Sequence, residues 1–423
     1  MAIIYELGFL NYLWVIWFVS ILFSIEYLRS ILKYRRSQIG TFNHHTPLII
    51  FQITTKGGES SVDNTIHDTP LIIFQITTKG GESSVDNTIR KVRMACENVR
   101  LDKYRIDVVT DSQSDYFYNA NMVYVSPNYE TPNKCKYKAR ALQYAVDWRK
   151  SREEHTDNIW IYHLDSETVI DSECILHAAK HIETSSEPIA LGLNVFPNKF
   201  FQSNRISAFM ESIRAAGNYD IDIQIKENKI YYLYGSNLLT RADVEDKVGW
   251  DFDTLAEDSA FGQRAFYSLN YKVGTFGAIA YEQPALSIGQ SIKQRERWFY
   301  GSVQNLPLIP RKLKFRQLIR LISWLLGAPS GIVTIWALFV YQNIPKMLIP
   351  VFLFNCACII FFYVFGLHQN IKPLMLGKTK RVTLYCQIAV LAPMLSMLEG
   401  VGPFIGAVKI LMGRQIVWIP TKK

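Results

Sequence analysis

Apolar and polar positions along the chain fall into three regimes. From Leu7 to Ile25 the chain is apolar except at Asn11, Ser20 and Ser24, and Arg29, Lys33, Arg35 and Arg36 follow at once. That length suits a bilayer span, and the basic flank marks its cytoplasmic side. With no positive leader and no small-residue cleavage site in view, residues 1–36 read as a retained anchor with its N-terminus outside. From Leu71 to about Gly274, short apolar runs alternate with amphipathic stretches. The pattern predicts strand LIIFQITT, helix Thr88 to Asn98, strand Tyr104 to Val109, a short strand Met122 to Val125, helix Lys136 to Lys150 and a strand leading into IWIYHLDSE. Such alternation predicts an α/β domain with a mostly parallel sheet and right-handed crossovers, placed at 69–310. The rhythm breaks at Tyr232-Leu233-Tyr234, and Gly235-Ser236-Asn237 reads as a loop.

Past residue 310 the apolar runs lengthen. Residues 311–324 set Arg311, Lys312, Lys314, Arg316 and Arg320 among Leu313, Phe315, Leu318, Ile319 and Leu321, the spacing of a basic amphipathic helix in a membrane interface. The segment 325–412 then holds two runs near spanning length, Leu325 to Tyr341 and Leu348 to Leu367. Its last part, Val382 to Met412, is apolar but broken by Pro393, Glu399, Gly400, Gly402 and Pro403, with bases on both sides. Positive-inside logic asks for both ends on the cytoplasmic side, so a bent or re-entrant hairpin is expected, with a cytosolic tail at 413–423. Glu399 is then either functional or reaching for an interface. The chain reads as an integral, multi-pass membrane protein with four or five spanning helices and a cytosolic domain.

The segment 37–68 is a linker with an oddity: TPLIIFQITTKGGESSVDNTI at 46–66 recurs unchanged at 69–89. Two copies do not make a solenoid. The second copy is expected to supply the first strand, because Ile89 runs straight into a helix; the first would be an insertion or an extra edge element. The net charge of +9 reflects bases beside apolar segments, at 33–36, 311–320 and 378–381, which points to a membrane surface and away from nucleic acid. Six scattered cysteines show neither metal spacing nor a disulfide framework.

Candidate chemistry lies in the middle regime. Strand IWIY runs into Asp165 and Glu167, one residue apart. Alternate residues share a face, so both carboxylates can meet one hard divalent cation, Mg²⁺ or Mn²⁺, that keeps positions open for phosphates; two loop acids after a strand are the plainer alternative. Asp111 ends YRIDVVTDS, where a carboxylate could receive a nucleoside. Glu257 and Asp258 precede a helix, Ser259 to Ser268, and suit either a base or a helix cap. Gln294-Arg295-Glu296-Arg297-Trp298 offers an Arg for phosphate and a Trp for stacking on a sugar or base. His163 is expected to be structural.

The order Asp111, Asp165-x-Glu167, Glu257-Asp258 and QRERW at 294–298 resembles the family 2 glycosyltransferases of GT-A fold. Their motifs are a nucleotide-binding Asp, a D-x-D-type metal motif, an [E/T]-D catalytic acid and Q-x-x-R-W. Lys138 and Arg140 in YKARAL resemble the K-A-x-A-L helix start that these enzymes hold near the diphosphate. KARAL, HLDSET, AEDSAFGQRAF and QRERW together are most similar to the egghead-type β-1,4-mannosyltransferases, with D-S-E in the D-x-D position. The resemblance covers about 69–310. It implies a GT-A, Rossmann-like catalytic domain flanked by transmembrane helices, and inverting transfer of a hexose from a nucleotide sugar, GDP-mannose or a UDP-sugar, to a lipid or glycan acceptor. Asp258 would be the base, with Glu257 a cap or a direct participant. Asp165 and Glu167 would bind the metal, and Asp111, Lys138, Arg140, Asp165, Gln294, Arg297 and Trp298 the nucleotide sugar. A processive polysaccharide synthase, of cellulose, chitin or hyaluronan type, shares these motifs and is the alternative, although it usually carries more spanning helices. A membrane scaffold on an inactive transferase fold is a third class, disfavoured because the acids and QRERW are intact.

Overall fold

The computed structural model describes residues 15–42, 70–78, 83–111, 118–339, 346–414 and 416. The first copy of the repeat, the start of the anchor run, Tyr341 and most of the tail lie outside the described residues. The second copy does supply the first strand: β1 (Leu71–Thr78) is followed by α2 (Ser83–Asn98), α1 being Val15–Phe42 near the N-terminus. The first half continues as β2 (Tyr104–Thr110), β3 (Asn121–Tyr124), α3 (Tyr137–Lys150) and β4 (Ile159–Asp165). Here β1 lies between β2 and β4, all parallel, with β3 at the edge. Helices cover both faces, so β1 and β4 read as unbroken apolar runs rather than alternating ones. The register pairs Thr77 with Asp165 and Thr78 with Thr110. The carboxyl ends of β2 and β4, and hence Asp111 and Asp165, therefore emerge along one edge of the sheet.

The second half adds one reversed strand to the mostly parallel sheet that was expected. It runs α4 (Ser172–Thr184), β5 (Ile189–Val195), α5 (Arg205–Lys226), β6 (Leu238–Arg241), α6 (Ala242–Val248), α7 (Glu257–Gln263), a π-turn at Arg264–Ser268, β7 (Val273–Tyr281) and α8 (Ile288–Gln304). The sheet order is β3-β2-β1-β4-β6-β5-β7, with β6 antiparallel to both neighbours. This reversal matters for the site. Leu238, at the start of β6, pairs with His163 near the end of β4, so the preceding loop Gly235-Ser236-Asn237 is delivered to the carboxyl edge. The end of the parallel strand β7 arrives there too.

The remaining helices, α9 (Arg311–Leu325), α10 (Gly327–Phe339), α11 (Ile349–Ile371) and α12 (Lys378–Leu411), pack with α1 over α5 and α8. Arg29 and Lys33 of α1 both meet Glu227 just beyond the end of α5. On α9 Phe315, Leu318 and Ile322 are exposed, while Gln317, Arg320 and Ser323 are buried.

Among the described residues two helices, within Lys346–Leu374 and Lys378–Leu411, are long and apolar enough to cross a membrane, or three if α9 and α10, bent by 48°, form one broken span. The expected N-terminal span begins outside the described residues, so these helices answer only to the C-terminal part of the expected four or five spans. The expected hairpin at 382–412 is replaced by a single helix of 34 residues that contains Pro393 and Pro403. Proline removes one helical hydrogen bond and bends a helix without reversing it. The glycines serve close packing instead: a Cβ at Gly402 would lie 2.5 Å from the Ile292 carbonyl oxygen and 2.7 Å from the Arg295 Cβ. Both ends of α12 touch the α/β domain, through Arg205–Gln387 at one end and Lys409–Glu296 at the other.

Candidate active site

The carboxyl edge of the sheet carries the first group of side chains. Asp165 is the last residue of β4, and Lys138, in the first turn of α3, donates to it. Tyr137, just before Lys138, sits in the left-handed region at φ 57°, a strained conformation for a non-glycine residue that persists where surrounding packing imposes it. Asp111, just past β2, accepts from Arg140 at 2.8 Å. The loop before β6 closes over this group. A Cβ at Gly235 would lie 3.1 Å from Lys138 Nζ, 3.3 Å from Asp258 Cβ and 3.4 Å from Asp258 Oδ2. A side chain at 235 would press on both Lys138 and Asp258, so glycine here leaves room for their close approach.

Glu257 and Asp258 open α7. Burial raises the pKa of both carboxyl groups, while the Lys138 ammonium and Arg297 guanidinium pull them down. Glu257 is further raised by the Asp258 charge and reaches about 7. The two carboxyl groups thus titrate as a pair above the usual carboxylate range, with Asp258 beside the Lys138 ammonium.

Asp165 and Glu167 are joined by an acid that the sequence reading missed. Glu282 directly follows β7, and the carboxylate oxygens of Asp165, Glu167 and Glu282 lie within 4.8 Å of one another. Thr168 donates to Glu282 at 2.7 Å and Ser236 at 2.5 Å. Three converging carboxylates, with hydroxyls orienting the buried one, fit a hard divalent cation. The signal was available: VGTFGAIAY runs into Glu282 as IWIYHL runs into Asp165.

Helix α8 brings the Q-x-x-R-W residues. Arg297 donates to the Leu255 carbonyl at 3.3 Å, which ties it to the loop before Glu257. The Trp298 ring lies 4.5 Å from the Arg214 guanidinium and 5.4 Å from that of Arg295. Arg295, given no role from sequence, is fully buried and donates to Glu211 at 3.0 Å, Glu399 at 2.9 Å and the Gln294 side-chain oxygen at 3.1 Å. The pairing resolves Glu399, which turns inward to Arg295. Opposing charge holds the Glu211 carboxyl below its usual range and Arg295 above its own. His163 is buried behind the site, 3.1 Å from Glu245 and edge-on to Trp250, in keeping with a structural place.

Asp111, Lys138, Arg140, Asp165, Glu167, Glu257, Asp258, Gln294, Arg297 and Trp298 all line a single cavity of about 580 Å³. All ten residues singled out from sequence thus come together. Three bases, Lys138, Arg140 and Arg297, line it among the carboxylates, two of them in direct ion pairs with Asp165 and Asp111, and lining residues from α9, α10, α11 and α12 extend it. Such a site can hold a diphosphate, a cation and a nucleophile side by side.

A family model described as glycosyl transferase family group 2 matches residues 160–367, from β4 into α11. A β-1,4-mannosyltransferase of Drosophila melanogaster is 26% identical over 288 residues, 65% of this chain and 62% of its own. A β-1,4-mannosyltransferase of Caenorhabditis elegans is 26% identical over 217 residues, 49% of this chain and 46% of its own. The chain thus spans less than two thirds of either relative. Among solved structures, a mannosyltransferase of Pyrobaculum calidifontis in complex with GDP-Man and Mn²⁺ aligns over 95% of this chain and 100% of its own, at 13% identity and a TM-score of 0.49.

Proposed function

We propose that this chain, which belongs to the family 2 glycosyltransferases, transfers a single hexose from a nucleotide sugar to a lipid-linked or glycolipid acceptor with inversion at C1. Mannose is the sugar favoured by the two mannosyltransferase relatives, and GDP-mannose is the donor we assign to it. The observation that carries the reading is the meeting of Lys138, Asp165 and Asp258 around Gly235 in the one cavity.

Lys138, Arg140 and Arg297 would hold the diphosphate, and Asp111 the nucleoside. The acceptor hydroxyl, ~3 Å from the Asp258 carboxylate, would attack C1 from the face opposite the leaving group. The new C–O bond forms as the C1–phosphate oxygen bond breaks, the proton passes to Asp258, and the nucleoside diphosphate departs with the bonding electrons. The charge growing on the leaving oxygen meets Lys138 and Arg297, already fixed in place. Asp165, Glu167 and Glu282 would hold a divalent cation, which when bound supplies further neutralisation of that diphosphate. The outward apolar face of α9 supports a membrane setting, and the bases at 33–36 and 378–381 beside apolar segments favour the cytosolic side for the α/β domain.

Product length tests this reading. The chain in detergent, given labelled GDP-mannose and a lipid acceptor, should yield an acceptor heavier by one hexose in β-linkage, read by mass spectrometry and cleavage with an anomer-specific glycosidase. A ladder of products would instead support the polysaccharide synthase.

A further inference from the structure

The cavity does not end at Asp258. It continues against one face of α11, where Asn355, Ile359, Phe362 and Tyr363 recur at helical spacing and all line it. Asn355 is 1% exposed, sits between apolar residues in a helix of spanning length, and finds no hydrogen-bond partner for either its amide nitrogen or its oxygen. The Tyr363 hydroxyl and the Gln317 side-chain oxygen on the same cavity are likewise buried without partners. A buried amide left unmade is destabilising, and more so in an apolar surround. Three such groups aimed into one space mark a place that something polar fills.

Charge narrows what that is. The ionised groups at this end are already matched: Glu399 with Arg295, Arg214 with Glu211, and Arg320 with Asp220 and Glu26. Among the described residues lining this end no cation is left over for a phosphate, whereas an amide and a phenol offer the mixed donors and acceptors that neighbouring hydroxyls want. We infer that Asn355, Tyr363 and Gln317 form the acceptor-head subsite, reached between the membrane helices, and that they recognise uncharged sugar hydroxyls. The inference rests on the transferase reading above and adds to it the residues that select the acceptor.

The test uses the full chain in phosphatidylcholine nanodiscs carrying either a monohexosyl diacylglycerol or a polyprenyl phosphate. Asn355→Leu, close in volume, should raise the KM for the neutral glycolipid tenfold or more and leave the donor KM within twofold. Tyr363→Phe should raise the acceptor KM about threefold, because one hydroxyl contact among several is lost. The thermal midpoint of Asn355→Leu should hold or rise, because an unpartnered buried amide is removed. An unchanged acceptor KM in both variants, or a wild-type preference for the lipid phosphate, overturns the inference while leaving the transferase reading in place. A wild-type chain that transfers sugar to neither lipid overturns both.

Discussion

Asp258→Asn should lower kcat by about a thousandfold with the donor KM little changed, since a positioned general base contributes roughly 10²–10⁴. The substitution keeps the shape of the side chain and its place opposite Lys138 but removes the acceptor of the hydroxyl proton. The pH profile gives a second readout. Burial holds the Asp258 carboxyl above its ordinary range despite Lys138 and Arg297. The base must be ionised, so the wild-type rate should fall as pH drops through that raised value, an acid limb above the usual carboxylate range. The residual rate of Asp258→Asn should lack that limb. An unchanged kcat would mean that the proton leaves elsewhere and that the buried pair at 257–258 is only a helix cap.

Arg295→Met should destabilise the protein by about 3–5 kcal/mol, the usual consequence of removing one partner from a buried ion pair. Two carboxylates, Glu211 on α5 and Glu399 on α12, would lose their common buried cation, and Glu399 would be left without its partner while Glu211 keeps Arg214. Trp298 would lose one of the two guanidinium groups against its ring. Thermal unfolding in detergent should show the loss, and Arg295→Met combined with Glu399→Gln should recover part of it, because the second change removes an unpaired charge. A midpoint within a degree of wild type would show that water or another cation reaches the pair. Arg295 is placed as a positioning group: it joins the helix bearing Arg297 and Trp298 to α5 and α12.

How far the molecule could be read in advance depended on how local the signal was. The runs 71–78, 104–110 and 159–165 are rich in β-branched and aromatic residues, so their strands were legible, and with them Asp111 and Asp165 at the strand ends. Glu257-Asp258 and QRERW were legible as motifs, and Gly235-Ser236-Asn237 as a loop. The reversal of β6 was not, because four residues, LLTR, do not record strand direction. Glu282 escaped because Asp165 and Glu167, the carboxylates it meets, lie more than a hundred positions away in sequence, so only the fold joins them. The same is true of Arg295, whose partners lie on two other helices. The most instructive error concerns α12. Gly400 and Gly402 beside Pro403 read as a break, yet these glycines lie where α10 and α8 press against the helix. Glycine marks close backbone approach as often as it marks a turn, and the chain alone does not say which.

Nucleotide release is the most direct measure of whether these groups act together on a nucleotide sugar. The purified chain should be incubated with GDP-mannose, UDP-glucose and UDP-GlcNAc in the presence of a lipid acceptor, with Mn²⁺ and with EDTA. The account predicts release from one donor, GDP-mannose foremost, that EDTA abolishes and that Asp165→Ala, Glu282→Ala and Asp258→Asn each suppress. Release that persists in EDTA, or that survives in Asp258→Asn, would contradict it.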